Sequence, residues 1–257
     1  MADTYLNLAA YKFLDWDGLP ERRDRIQASG LSLGLRGTVL LAPEGINLFV
    51  SAPPDAANAW LHALCADPLL ADLGVKRSES AHCAFGRWRV RIKKEIVTLR
   101  QPQIRPQDRR AAAISPATLA RWLQQSHDDD SRPVKLLDTR NAFEVAAGAF
   151  ESASHVAIKS FTDFPQAVRA GVEEFRGARV VTYCTGGIRC EKAALVMQDL
   201  GIEQVVQLDG GVLRYFEEVG QAHWQGELFV FDQRIGVDSG LQATYSDSTE
   251  RSALGNS

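Results

Sequence analysis

The stretch from Arg179 to Leu208 constrains this chain more than any other. Val180, Val181, Thr182 and Tyr183 form an uncharged run, Cys184 ends it, and Gly186 and Gly187 follow at once. The period then changes: Ala193, Val196, Met197 and Leu200 recur on one helical face from Arg189 onward, and Gly201 stops it. Gln204-Val205-Val206-Gln207-Leu208 reads as the next strand. Strand, turn, helix and strand make the unit of a parallel sheet. Cys184 stands where such sheets put their ligands, at a strand's carboxyl end ahead of a helix.

Thr185, Gly186, Gly187 and Ile188 separate Cys184 from Arg189. A glycine-rich loop of this kind curls until successive backbone N–H groups face one centre. Those amides, the helix dipole and the Arg189 charge favour thiolate over thiol, which predicts a nucleophilic Cys184 of depressed pKa. The bland alternative is a structural cysteine, buried as a small hydrophobe. The loop is one residue shorter than that of protein tyrosine phosphatases, a cradle for one sulfur or oxygen substituent rather than a whole phosphate. Cys190 either resolves an oxidised Cys184 or fills the first helical turn. Asp138 and Arg140 follow the strand Lys135-Leu136-Leu137. Asp138 either pairs with Arg189 or holds the loop, or it caps a helix over 141–145. Asp209-Gly210-Gly211 is a tight turn, and Tyr183 and Trp224 read as core.

Further strands are expected at 135–137, 155–158, 179–183 and 204–208, with helices between most of them and Ser115-Pro116 capping one. Asp128-Asp129-Asp130 reads as a solvated turn. Residues 113–237 are therefore a doubly wound parallel α/β domain, and 238–257, poor in apolar residues, a disordered tail. Ahead of it, 101–112 carries two prolines without periodicity and reads as a linker.

Residues 1–100 follow another plan. Leu6 to Leu14 has strand character, and Pro20 to Gln27 is helical, closing toward Gly30. Residues 37–42 and 46–51 are a strand pair joined by Pro43-Glu44-Gly45, and a helix covers 56–64. Trp88, Val90 and Ile92 alternate with Arg87, Arg89, Arg91 and Lys93, a half-buried last strand. The order β-α-β-β-α-β predicts a ferredoxin-like α+β sandwich. From Phe85 to Arg110 the local charge is +7, nine basic residues against two acidic, inside a chain of net −3. Arg87, Arg89, Arg91, Lys93 and Lys94 suit a phosphate backbone. The alternative is an edge strand kept charged against aggregation.

Charged residues at 24% and apolar ones at 45% describe an ordinary globular chain. No secretory pattern and no apolar run of membrane-spanning length is present, and the four cysteines are too sparse for a disulfide scaffold. A reducing cytoplasm is the expected home. The five histidines are scattered and no glycine-rich phosphate motif occurs, so neither a metal nor a nucleotide cofactor is expected. The residues leave the oligomeric state open.

The Cys184 loop resembles that of rhodaneses, and Tyr183-Cys184-Thr185-Gly186-Gly187-Ile188-Arg189-Cys190-Glu191-Lys192 is similar to the signature of the rhodanese-related tRNA uridine-34 hydroxylases. Glu44-Gly45-Ile46-Asn47, residues 93–99, Asp138-Thr139-Arg140-Asn141 and Phe229-Val230-Phe231-Asp232 resemble the same family, so the likeness spans roughly residues 5–235. It implies oxygen-dependent C5 hydroxylation of the wobble uridine of tRNA, with molecular oxygen as co-substrate and Cys184 as the essential cysteine. The alternative is a sulfurtransferase that carries a persulfide on Cys184; a third reading is a tRNA-binding or redox-sensing module. Two features depart from the family: Leu48 stands where a small residue is expected, and no cysteine follows Cys190, whereas longer relatives continue into a cysteine-rich segment. Any metal binding by such a segment is expected to be absent.

Overall fold

The computed structural model describes residues 4–230, 236–237 and 243–244. The first half contains β1 (Tyr5–Phe13), α1 (Leu19–Ser32), β2 (Arg36–Ala42), β3 (Gly45–Ala52), α2 (Pro54–Cys65), β4 (Val75–Ser80) and β5 (Trp88–Ile92). They build one sheet of order β4-β1-β3-β2-β5. The first four strands are the ferredoxin-like sandwich, all neighbours antiparallel, and β5 is added parallel to β2 at its edge. The sandwich's last strand is thus β4, not Trp88–Ile92 as the sequence pattern suggested. Val75-Lys76-Arg77-Ser78-Glu79-Ser80 has no apolar alternation; its ladder to β1 makes it a strand.

Alternation decides the buried face. Leu6, Leu8, Ala10, Val39, Leu41, Ile46, Leu48, Val50, Trp88 and Val90 pack against Ile26 of α1 and Trp60, Leu61 and Leu64 of α2. Leu48 is wholly buried there, so its bulk is core packing. Gly30 does not end α1, which continues to Ser32. A Cβ at Gly30 would lie 2.2 Å from the Trp88 ring, so this glycine admits the indole, whose Nε1–H donates to the Gln27 carbonyl at 3.1 Å.

The second half contains β6 (Ala112–Ile114), α3 (Pro116–Gln125), β7 (Val134–Asp138), α4 (Ala142–Ala147), β8 (Gly148–Phe150), β9 (Ser154–His155), α5 (Phe164–Ala170), β10 (Arg179–Tyr183), α6 (Ile188–Asp199), β11 (Val205–Leu208), α7 (Gly211–Glu218) and β12 (Trp224–Gly226). Its parallel sheet has the order β6-β11-β10-β7-β9. Leu119 and Trp122 of α3 pack with Val212, Tyr215 and Phe216 of α7 in one core layer. Phe164 and Val168 of α5 pack with Ala193, Leu195 and Met197 of α6 in another. The doubly wound plan holds, and Ser115 caps α3 by accepting from Thr118 N–H. The strand expected at 155–158 shrinks to Ser154–His155, because the Ile158 N–H turns back to the Val156 carbonyl at 2.7 Å.

Two local expectations change. The segment 101–112 is no free linker: Ile104 and Ala111 are buried in the second half's core, while Arg105 pairs with Asp15 of the first half at 3.0 Å. Asp128 is not solvated. It is buried, accepts from the backbone N–H groups of Asp130 and Arg132, and pairs with Arg179 at 2.7 Å. Burial pushes its carboxyl up, but the Arg179 and backbone hydrogen bonds prevail and lower its pKa to about 2. The tail assigned to 238–257 falls almost entirely outside the described residues. No described helix is long and apolar enough to cross a membrane.

Candidate active site

Cys184 follows β10 directly and is buried. Gly187 turns the loop with φ +97°, a left-handed conformation that costs glycine little, and its N–H reaches the Cys184 sulfur at 3.1 Å. The α7 start closes the far side: Val212 N–H donates to the Cys184 carbonyl at 3.0 Å and Leu213 N–H to the Thr185 carbonyl at 3.1 Å. Gly211, with φ +65°, makes this approach possible, since a Cβ there would lie 2.5 Å from the Cys184 carbonyl oxygen. The Asp209-Gly210-Gly211 turn is therefore part of the loop's scaffold.

Burial pushes the Cys184 thiol up. The Cys190 hydrogen bond, the Arg189 charge, and the Arg189 and Gly187 amides outweigh it and bring the pKa down to about 5. Cys190 is pushed the other way, by burial and by the neighbouring Cys184. The pair therefore holds a thiolate beside a protonated thiol.

Arg189 is gripped from α4. Its guanidinium makes a two-pronged pair with Glu144 of α4, both distances 2.6 Å, and Glu144 also accepts from Asn141 N–H at 3.1 Å. Asp138 grips Arg140, with contacts of 3.0 Å to Nε and 2.6 Å to Nη2, and both side chains are fully buried. Arg140 continues to the Gly148 carbonyl at 2.6 Å and lies over the Trp224 ring. Asp138 and Arg140 thus form a buried pair at the carboxyl end of β7, beside Tyr183 of β10. Glu144 was missed from sequence; its spacing three residues after Asn141 marks a helix start, but nothing local marks its partner.

The first half supplies the opposite wall. A cavity of about 310 Å³ is lined by Cys184, Thr185, Gly186, Ile188, Arg189, Leu213 and Val230 on one side and by Ala9, Tyr11, Asn47, Phe49 and Lys76 on the other. Lys76 donates to the Gly186 carbonyl. Burial lowers its pKa, and the Cys184 charge works against that. Tyr11 donates to Glu191 at 3.3 Å, and burial together with Glu191 raises its pKa. Thr185 lines the cavity with its buried hydroxyl unpartnered within the protein. A charged cleft of about 740 Å³ adjoins it through Tyr11, Gly74 and Lys76.

The halves are locked by α6. Lys192 Nζ, almost fully buried, donates to Glu44 at 3.0 Å, Glu95 at 2.7 Å and the Val97 carbonyl at 3.0 Å. Glu191 takes Arg110 Nε at 2.9 Å and Gln207 at 3.0 Å. The residues after Cys190 therefore dock the first half onto the cysteine loop, a role the sequence reading did not assign.

The basic residues lie on β5 and just beyond it. Arg87, Arg91, Lys93 and Lys94 are exposed and Arg89 half-buried. Registration puts Phe49, Thr38 and Arg89 in one row across β3, β2 and β5, and Asn47, Leu40 and Arg91 in the next. Residues in one row share a sheet face, so Arg89 and Arg91 stand on the face that walls the cavity, two strands or about 10 Å from Phe49 and Asn47. Among the described residues no group of three or more His, Cys, Asp or Glu side chains is placed to hold a metal ion.

A strand–cysteine loop–helix of this geometry, capped by a ferredoxin-like sandwich, defines a two-part rhodanese-type protein. Residues 119–218 match the rhodanese-like domain and residues 5–96 the UPF0176 acylphosphatase-like domain. The protein named tRNA uridine(34) hydroxylase in Bordetella petrii is 54% identical over 92% of this chain and 94% of its own length. Its namesake in Cupriavidus taiwanensis is 51% identical over 92% and 84%, and that in Variovorax paradoxus 49% over 96% and 94%. The chain belongs to the tRNA uridine(34) hydroxylase family.

Proposed function

We propose that this protein hydroxylates C5 of the wobble uridine in tRNA with molecular oxygen, and that Cys184 is the group that engages the base. The observation that carries this reading is the shared sheet face, on which Phe49 and Asn47 wall the Cys184 cavity and Arg89 and Arg91 continue from them toward the edge. A uridine turned out of its stack would enter the cavity, with Phe49 and Tyr11 as aromatic surfaces and the Thr185 hydroxyl as an available polar partner. Its flanking phosphates would meet Arg87, Arg89, Arg91, Lys93 and Lys94. The Cys184 thiolate adds to C6, which makes C5 electron-rich toward oxygen.

Asp138, Arg140 and Glu144 act as positioning residues, holding the loop and Arg189 while Arg189 and the loop amides keep the sulfur ionised. Sulfur transfer through a persulfide uses the same amides, but it gives the arginine row no task. The experiment is nucleoside mass spectrometry of tRNA from cells lacking the protein, complemented with wild type or Cys184→Ser. Restoration of 5-hydroxyuridine by wild type alone is the expected result. Unchanged 5-hydroxyuridine with loss of a thiolated uridine would replace hydroxylation by sulfur transfer.

A further inference from the structure

Cys190 does not itself bond to C6, yet the fold places it in the turn that cradles the reactive sulfur. It lies in the first turn of α6 with its N–H tied to the Gly187 carbonyl at 3.1 Å. Gly187, whose own N–H reaches the Cys184 sulfur at 3.1 Å, thus joins the two cysteines in one turn, and each shifts the other's pKa, Cys184 downward and Cys190 upward. Cys190 is fully buried and Cys184 nearly so, while Cys65 is on α2 and Cys83 lies between β4 and β5, both half-buried.

The stoichiometry of the proposed reaction gives this pair a task. Hydroxylation by O₂ keeps one oxygen atom on C5. The other must leave as water, which requires two electrons and two protons. Two thiols closing to a disulfide release that number of each.

We infer that Cys190 is the second half of a built-in dithiol reductant, and that each turnover ends with a Cys184–Cys190 disulfide; this rests on the hydroxylase reading above. The Cys184 thiolate bonds to C6, and the C5 carbanion takes up O₂ and a proton to give a C5 hydroperoxide. The Cys190 thiol attacks the outer oxygen, the O–O bond breaks, C5 keeps a hydroxyl and Cys190 becomes a sulfenic acid. Loss of the C5 proton expels Cys184 from C6 and restores the double bond. The freed Cys184 thiolate then displaces the Cys190 hydroxyl, which leaves as water with a proton, and the S–S bond forms. The sum is uridine, O₂ and two thiols giving 5-hydroxyuridine, water and a disulfide. An external thiol entering through the cavity attacks Cys184 and resets the pair.

The test uses the full chain, reduced and then freed of thiol, mixed in air with an anticodon stem-loop RNA. Expected is a plateau of about one 5-hydroxyuridine per chain, matched by an equal amount of Cys184–Cys190-linked peptide under non-reducing mass spectrometry. Added dithiothreitol should then restore turnover. Cys190→Ser should make at least about tenfold less product without thiol. The wild-type disulfide count needs no variant and stands even if that one folds poorly. Product beyond one per chain without thiol, or one equivalent formed while both cysteines remain alkylatable, overturns the pairing and leaves the hydroxylase reading intact. No product even with excess thiol overturns the hydroxylase reading itself.

Discussion

The two halves of the molecule treat charge in opposite ways. Around Cys184 charges are inside: Arg140 with Asp138, Arg189 with Glu144, Lys192 with Glu44 and Glu95, these three buried cations each matched by a carboxylate. Along β5 they are outside, and Arg87, Arg89, Arg91, Lys93 and Lys94 make no ion pair among the described residues. Burying a charge is costly unless it is paired, so the inner set must be positioned accurately. An exposed row of like charge contributes little to folding and is available to a polyanion. The first arrangement suits chemistry at one atom, the second a long and salt-sensitive contact.

This contrast fails if exchanging the two kinds of site gives similar effects. The largest stability effect is expected at Glu144. Glu144→Ala removes the two-pronged pair from the buried Arg189, costs about 3–5 kcal/mol in urea unfolding, and slows iodoacetamide capture of Cys184. Next comes the sulfur itself. Because the Cys184 pKa is lowered to about 5, its alkylation rate should hold from pH 8 down to about 5 and fall below that. Cys65, whose pKa is raised by burial, should lose reactivity at a much higher pH than Cys184 does.

Asp128 gives a smaller effect that separates structural from functional burial. Its folded pKa lies below the ordinary carboxylate value, so its contribution is fully present above about pH 4 and is lost as pH falls toward about 2. Asp128→Asn should therefore lower stability at pH 7 and flatten the acid limb of the stability curve, with Cys184 reactivity unchanged. For the outer row, Arg89→Ala with Arg91→Ala should shift unfolding by no more than about 0.5 kcal/mol. The same pair should lower the slope of log K against log salt for tRNA by about 1–2. A large loss of stability with an unchanged salt slope would return β5 to a merely protected edge.

How far the sequence could be read follows the same division. The Cys184 loop was legible because its strand, glycines, arginine and helix are contiguous, so local rules suffice. The arginine row was legible because period two is a local property of β5. Glu144 was not, since its pairing with Arg189 depends on how α4 meets α6 across the sheet. Tyr11, Asn47, Phe49 and Lys76 escaped notice because they line the cavity only after the halves dock, and docking rests on Lys192 and Glu191. Asp128 looked like a surface turn among its acidic neighbours until Arg179 of β10 was seen to reach it. The pairing of β4 was hidden because its six residues carry charge and hydroxyls where an apolar pattern was sought.

The most direct measurement is the origin of the new oxygen. Purified protein is given an anticodon stem-loop with uridine at the wobble position under ¹⁸O₂, with dithiothreitol present, and the nucleosides are weighed. Wild type should yield 5-hydroxyuridine heavier by one ¹⁸O, and Cys184→Ser should yield none. An unlabelled product, or equal labelling by Cys184→Ser, would contradict oxygen-dependent hydroxylation at this cysteine.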